Sequence, residues 1–209
     1  MIRDLLARLR IIPVLTVAST DQALATCKAL AAGGIRGVEI TLRSDAALDA
    51  ITHVRESMPD FCVGAGTIKT AGDLDRVAER GVAFAVSPGL SDEVLAQALA
   101  KSVPLLPGIA TATELMRGLD AGLDCFKLFP AEAVGGRALL KSLAAPFPEA
   151  AFCPTGGVSP DNFLDYLALP NVLCVGGSWM VADSLLAAAD WDEVTARSAQ
   201  AMAAARGNS

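Results

Sequence analysis

A (β/α)₈ barrel with one extra helix at its N-terminus is the fold this sequence predicts, as a single domain over residues 1–209. Three observations predict it. Apolar, strand-like runs begin near Ile12, Gly37, Phe61, Val82, Val103, Cys125, Ala151 and Val172, at intervals of roughly 21 to 26 residues, close to the minimum for a strand, a short helix and two turns. Several runs, such as Ile11-Ile12-Pro13-Val14-Leu15 and Val82-Ala83-Phe84-Ala85-Val86, lack polar alternation, as strands of a parallel sheet do when both faces are buried. Between the runs lie segments rich in Ala, Leu, Arg and Asp with a helical period. Eight such units suit a closed barrel. An open doubly wound sheet is the alternative.

The chain justifies each element in turn. Met1 to Arg10 mixes charges into a helical pattern and lacks the apolar core of a signal peptide, so it is the extra helix. Helix starts are marked by Ser19 with Gln22, Thr70 with Asp73 and Thr111 with Glu114, pairings of a capping box or its near variants. Ser159-Pro160 sets a cap before a proline at the first helical position. Helix ends carry Gly33-Gly34, Gly81, Gly118 and Gly122. The alanine-rich tail from Trp191 to Arg206 is the closing helix. No linker or low-complexity tract divides the chain.

Composition narrows the function. With 53% hydrophobic residues the chain can bury a sizeable core, and no apolar run reaches the length of a membrane span. A soluble, cytoplasmic protein is expected, with no membrane partner. The net charge of −6 and the lack of a basic run argue against nucleic acid. Cysteines 27, 62, 125, 153 and 174 form no C-x-x-C pair and read as small buried hydrophobes. The single histidine, His53, falls in a helical stretch, and no ligand cluster for a metal is present.

If the fold is a barrel, its chemistry belongs at the C-terminal ends of the strands. The sixth run, Cys125-Phe126-Lys127-Leu128-Phe129-Pro130, holds one lysine among apolar neighbours. Desolvation favours its uncharged form, a nucleophile that gives a Schiff base with a carbonyl. The plainer reading, commoner for a lone lysine, is a strand-end side chain that reaches water or a carboxylate. In the second run Glu39, Thr41 and Arg43 share one face. Glu39 then points into the barrel, where a carboxylate is costly unless paired or used. Strands two and six are both even-numbered, so Glu39 and Lys127 can face each other across the barrel mouth. A purely structural ion pair of Glu39 with Lys127 or Arg43 remains open at this point.

The other strand ends are glycine-rich. Val63-Gly64-Ala65-Gly66-Thr67 allows the backbone and the Thr67 hydroxyl to approach a ligand closely, or is an ordinary turn. Ser87-Pro88-Gly89 and Pro107-Gly108 fit plain turns, with Pro88 placed to line a pocket. Cys153-Pro154-Thr155-Gly156-Gly157 and Val175-Gly176-Gly177-Ser178 put paired glycines after strands seven and eight, where a barrel brings backbone N–H groups to a phosphate.

Taken in order, these motifs resemble the class I 2-keto-3-deoxy-6-phosphogluconate (KDPG) and 4-hydroxy-2-oxoglutarate (KHG) aldolases. The resemblance runs through Val38-Glu39-Ile40-Thr41-Leu42-Arg43, Gly64-Ala65-Gly66-Thr67 and Ser87-Pro88-Gly89. It continues through Phe126-Lys127-Leu128-Phe129-Pro130-Ala131, Cys153-Pro154-Thr155-Gly156-Gly157 and Gly176-Gly177-Ser178-Trp179. It implies a homotrimeric (β/α)₈ enzyme that cleaves the phosphorylated keto acid to pyruvate and glyceraldehyde 3-phosphate. It implies that Lys127 forms the Schiff base, with no cofactor and no metal, and that Glu39 moves protons. Arg43 and Thr67 would hold the pyruvate carboxylate. Gly156, Gly157 and the loop bearing Ser178 would hold the distal phosphate, with Thr155 near the substrate hydroxyls. The residue pattern also admits a phosphosugar isomerase or other phosphate-binding barrel enzyme that uses Glu39 as base and Lys127 only for its charge. A metal-dependent lyase and a non-catalytic barrel that binds a phosphorylated metabolite are weaker alternatives.

Overall fold

The structure is a computed structural model and describes residues 2–207. Met1, Asn208 and Ser209, the ends of the predicted domain, lie outside the described residues. The fold is a (β/α)₈ barrel. Helix α1 (Ile2–Leu9) precedes the first strand. The strands are β1 (Ile11–Leu15), β2 (Gly37–Thr41), β3 (Cys62–Gly66), β4 (Ala85–Ser87), β5 (Leu105–Ile109), β6 (Cys125–Leu128), β7 (Ala151–Pro154) and β8 (Val175–Gly177). Their order is β7-β6-β5-β4-β3-β2-β1-β8, and all neighbours run parallel. Two isolated parallel bridges, Phe152↔Val172 and Thr155↔Gly176, close the ring between β7 and β8.

The helices of the outer ring are α2 (Thr20–Ala32), α3 (Ala47–Ser57), α4 (Ala71–Glu79), α5 (Asp92–Lys101), α6 (Ala112–Asp120), α7 (Gly136–Ala144) and α8 (Phe163–Leu167). After β8 come α9 (Asp183–Ala188) and α10 (Trp191–Gly207). Thr70–Asp73 and Thr111–Glu114 are full capping boxes. At Ser19 the hydroxyl accepts from the Gln22 N–H, but the Gln22 amide oxygen accepts from Ala18 instead, a near variant of the box. None of the described helices is long and apolar enough to cross a membrane.

Three strands start two or three residues later than their apolar runs. Gly81, at φ +62°, turns the chain out of α4, and Val82–Phe84 is spent on the bend before β4. Ser102, at φ +55°, closes α5 while the Val103 N–H bonds back to Ala98, so β5 begins at Leu105. Val172 bridges to β7, and by Val175 the backbone has transferred to Arg10 and β1. The helix expected at Ser159-Pro160 begins at Phe163 instead. Ser159 opens a turn whose carbonyl accepts from Asn162 and Phe163, and Asn162 stands at the helix start.

Two separate apolar regions follow from the alternation of side chains along each strand. Outward-facing residues such as Val38, Ile40, Phe126 and Leu128 pack against the helices. Inward-facing Ile12, Phe84, Val86, Leu106, Cys125, Ala151, Cys153 and Cys174 fill the lumen, joined by Leu6 and Leu9 of α1. Helix α1 is therefore a plug for the N-terminal end of the barrel. Arg3 anchors it by donating to the Asp124 carboxylate at 2.6 Å and to the Asp124 and Glu149 carbonyls. The five cysteines are all free; four are buried. Burial pushes the thiols of Cys27 and Cys125 up to about 12.

Leu6 is fully buried in that plug. Leu6→Ala should destabilise the fold by about 2–5 kcal/mol, since the closed lumen cannot collapse onto the lost volume. Urea unfolding with an unchanged m-value checks this.

Candidate active site

The strand geometry brings Glu39 and Lys127 together inside the barrel. Lys127 Nζ lies 3.3 Å from Glu39 Oε1 and 3.4 Å from Oε2. Their side chains are only 7% and 5% exposed. Such a pair is a poor way to stabilise a core, because each ion loses its hydration and apolar residues of similar volume would do as well. Its neighbours are shaped around it. A Cβ on Gly66, at the end of β3, would overlap the Glu39 carboxylate, so glycine is what leaves room for that side chain. Lys127 is paired in register with Gly108 and Cys153. Its ammonium also lies 5.2 Å from the centroid of the Phe129 ring, within range of a cation–π contact.

Lys127 opens onto a cavity of about 380 Å³ at the C-terminal ends of the strands. That volume suits a small metabolite. Arg43, Phe129, Thr155, Gly156, Gly157, Gly177 and Ser178 also line it. Arg43 lies in the turn after β2 rather than on the strand, and its Nε donates to the Thr67 hydroxyl at 3.2 Å. Thr67 has φ +63°, a left-handed conformation that costs a non-glycine residue about 1–3 kcal/mol. That backbone holds its hydroxyl against the guanidinium.

The glycine pairs divide by role. Gly156 and Gly157 have φ +96° and +80°, so the turn after β7 needs their freedom. Gly176 and Gly177 lie within β8 and are small for packing reasons. A Cβ on Gly176 would overlap the Thr155 hydroxyl, and one on Gly177 would overlap the Trp179 ring. Glu39, Gly176, Thr67 and Pro88 are absent from the cavity wall; Glu39 lies behind Lys127, in contact with its Nζ, and the Pro88 carbonyl packs where a Cβ of Gly108 would fall. Arg10, at the opposite end of the barrel, donates to the Ala205 carbonyl of α10.

Val14, Thr16, Val158, Val181 and Asp183 also line the cavity and were missed by the sequence reading. Thr16 directly follows β1, the position that carries the site residues on the other strands, and that position is its signal in the sequence; its hydroxyl is 2.8 Å from that of Thr41. Val181 ends a 3-10 turn, Trp179–Val181, and Asp183 follows it at the start of α9; neither carries a local signal in the sequence.

Comparison with known proteins shows the family of the chain. The family model described as KDPG and KHG aldolase matches residues 2–197. The chain belongs to the KDPG and KHG aldolase family. Among its relatives, a 2-dehydro-3-deoxy-phosphogluconate aldolase of Pseudoalteromonas atlantica is 46% identical over 98% of this chain and 95% of that protein. A KHG/KDPG aldolase of Escherichia coli is 47% identical over 94% of this chain and 92% of that protein. A KDPG aldolase of Legionella pneumophila, solved with pyruvate captured as a covalent carbinolamine, superposes with TM-score 0.93 at 40% identity, covering 96% of this chain and 97% of that one. A Zymomonas mobilis KDPG aldolase solved with 3-phosphoglycerate gives TM-score 0.88 at 43% identity, covering 95% and 94%.

Gly66→Ala should push the Glu39 carboxylate away from Lys127 and destabilise the fold by about 1–3 kcal/mol through overpacking. A crystal structure of the variant and its urea midpoint check the two parts; an unmoved carboxylate would contradict the first.

Proposed function

We propose that this protein is a class I aldolase that cleaves 2-dehydro-3-deoxy-6-phosphogluconate to pyruvate and glyceraldehyde 3-phosphate. 4-Hydroxy-2-oxoglutarate, giving pyruvate and glyoxylate, is a second substrate. The observation that carries this reading is the buried contact between Lys127 and Glu39 beside a metabolite-sized cavity. The covalent pyruvate adduct of the Legionella relative supports it. A cytoplasmic homotrimer is the setting the reading brings with it.

The chemistry follows from the residues. A proton passing from Lys127 Nζ to Glu39 across 3.3 Å turns two poorly hydrated ions into a neutral amine and a carboxylic acid. The amine adds to the C2 carbonyl, and the carbinolamine hydroxyl leaves as water with the proton that Glu39 returns, giving an imine protonated on nitrogen. Glu39, ionised again, takes the C4 hydroxyl proton, directly or through one water, as the C3–C4 bond breaks. The bonding electrons pass into the imine, leaving an enamine, and the aldehyde departs. Glu39 then returns a proton to C3, and water hydrolyses the imine to pyruvate and free Lys127. The electron sink is the iminium, so no cofactor is called for.

The rest of the cavity binds. Arg43, braced by Thr67, takes the substrate carboxylate through its fork of N–H donors. Thr155 faces the hydroxylated carbons, with Pro88 behind the site. Gly156, Gly157 and Ser178 take the distal phosphate, supported by Gly176 and Gly177. The ligand of the Zymomonas relative, 3-phosphoglycerate, joins a carboxylate and a phosphate in one small molecule and suits this polarity.

Sodium borohydride with pyruvate should fix a three-carbon adduct on Lys127, located by peptide mass spectrometry. An adduct on Lys28, Lys69, Lys101 or Lys141 would remove Lys127 as nucleophile. No adduct at all would return it to the electrostatic role it has in the isomerase alternative. Glu39→Gln should still trap pyruvate, because a buried lysine with no carboxylate beside it favours the uncharged amine, but slow exchange of the pyruvate methyl protons by roughly 100-fold or more, as loss of a general base does. Proton NMR in deuterium oxide reads that rate, and unchanged exchange would take Glu39 out of the mechanism.

A further inference from the structure

The Gly156–Gly157 turn is held from behind on two sides. The Glu132 N–H donates to the Gly156 carbonyl at 3.1 Å. The Asn162 side-chain amide donates to the Gly157 carbonyl at 3.0 Å, while its own oxygen accepts from the Ser159 N–H at 2.9 Å. In a planar trans peptide the N–H points opposite to the C=O of the same unit. Drawing the Gly156 carbonyl toward Glu132 therefore turns the Gly157 N–H the other way. Drawing the Gly157 carbonyl toward Asn162 turns the Val158 N–H the other way. Neither N–H has an acceptor among the described residues, and Gly157 and Val158 both line the cavity.

We infer that Asn162 is a positioning residue for the distal anion: it acts through the Gly157–Val158 peptide, whose N–H it aims into the cavity. Asparagine suits the place because one amide supplies both the acceptor for Ser159 and the donor for Gly157. Aspartate would keep the first contact and set an oxygen against the Gly157 carbonyl. Leucine would keep neither. The Glu132 side of the clamp is braced separately. The Tyr166 hydroxyl donates to the Glu132 carboxylate, and burial first, then that contact, pushes the tyrosine up, so it stays a donor. A Cβ on Gly157 would lie 2.5 Å from Glu132 Cγ, so the turn is also packed tightly on that side.

The inference rests on the proposed function only for its kinetic test. Asn162→Asp and Asn162→Ala should raise KM for the phosphorylated keto acid about tenfold or more, the loss expected when a donor to a charged group is misaimed. Efficiency on 2-dehydro-3-deoxygluconate, the same keto acid without its phosphate, should stay within about twofold, and borohydride trapping of pyruvate should persist. A merely structural asparagine would lower both activities alike, and that result would overturn the inference. A second measurement needs neither catalysis nor a folded variant. Titrating the wild-type protein with inorganic phosphate should shift the backbone amide resonances of Gly157 and Val158. If they stay still while the protein turns over, Asn162 aims nothing and the aldolase reading survives. If they shift in a protein that makes no Schiff base, the aldolase reading fails and the aimed anion site stands.

Discussion

Two opposite charges placed inside an apolar lumen are the constraint on which this structure turns. A lysine and a glutamate with side chains 7% and 5% exposed cannot both keep their hydration, so each depends on the other and on exclusion of alternatives. Much of the local sequence serves that placement. Gly66 clears space for the carboxylate, and Gly108 and Cys153 are the small register partners of Lys127. Below them the lumen is filled by aliphatic, aromatic and thiol side chains and closed by Leu6 and Leu9. With that end sealed, Lys127 meets solvent or substrate through the cavity at the C-terminal ends of the strands, with Glu39 behind it.

The cavity has a chemical direction. One part of its wall offers side-chain charge: Lys127, with Glu39 behind it, and the guanidinium of Arg43 steadied by Thr67. The other end offers backbone donors from a turn whose carbonyls are tied back by Glu132 and Asn162. In the proposed reaction these ends suit the keto acid and the phosphate respectively. Backbone N–H groups held this way need no reorganisation when an anion arrives, and they bring no mobile cation near the iminium. Asp183 sits on the same wall and sets a negative charge near the mouth.

The helices show where local sequence suffices. The Thr70 and Thr111 capping boxes form as their spacing foretells, because a cap bonds only within its own first turn. Strand beginnings at Gly37, Cys125 and Ala151 are likewise where the apolar runs begin. The runs at Val82, Val103 and Val172 mislead by two or three residues. There an apolar residue is used to leave a helix or to cross between neighbours, and hydrophobicity cannot distinguish that from pairing. Paired glycines carry the same ambiguity: those after β7 are needed for conformation, those in β8 for packing.

By itself the sequence determined the repeating strand-and-helix unit, the barrel it closes into, and the lysine and glutamate on even-numbered strands. Each of these depends on period and spacing, which are local properties of the chain. Tertiary structure alone decided that Glu39 and Lys127 meet at 3.3 Å across 88 positions of sequence, that Arg43 is braced by Thr67, and that Asn162 reaches back to Gly157. It also brought Thr16 and Asp183 to the cavity wall. Such contacts join segments that only the closure of the barrel sets side by side, and no residue pattern along the chain encodes a distance in space.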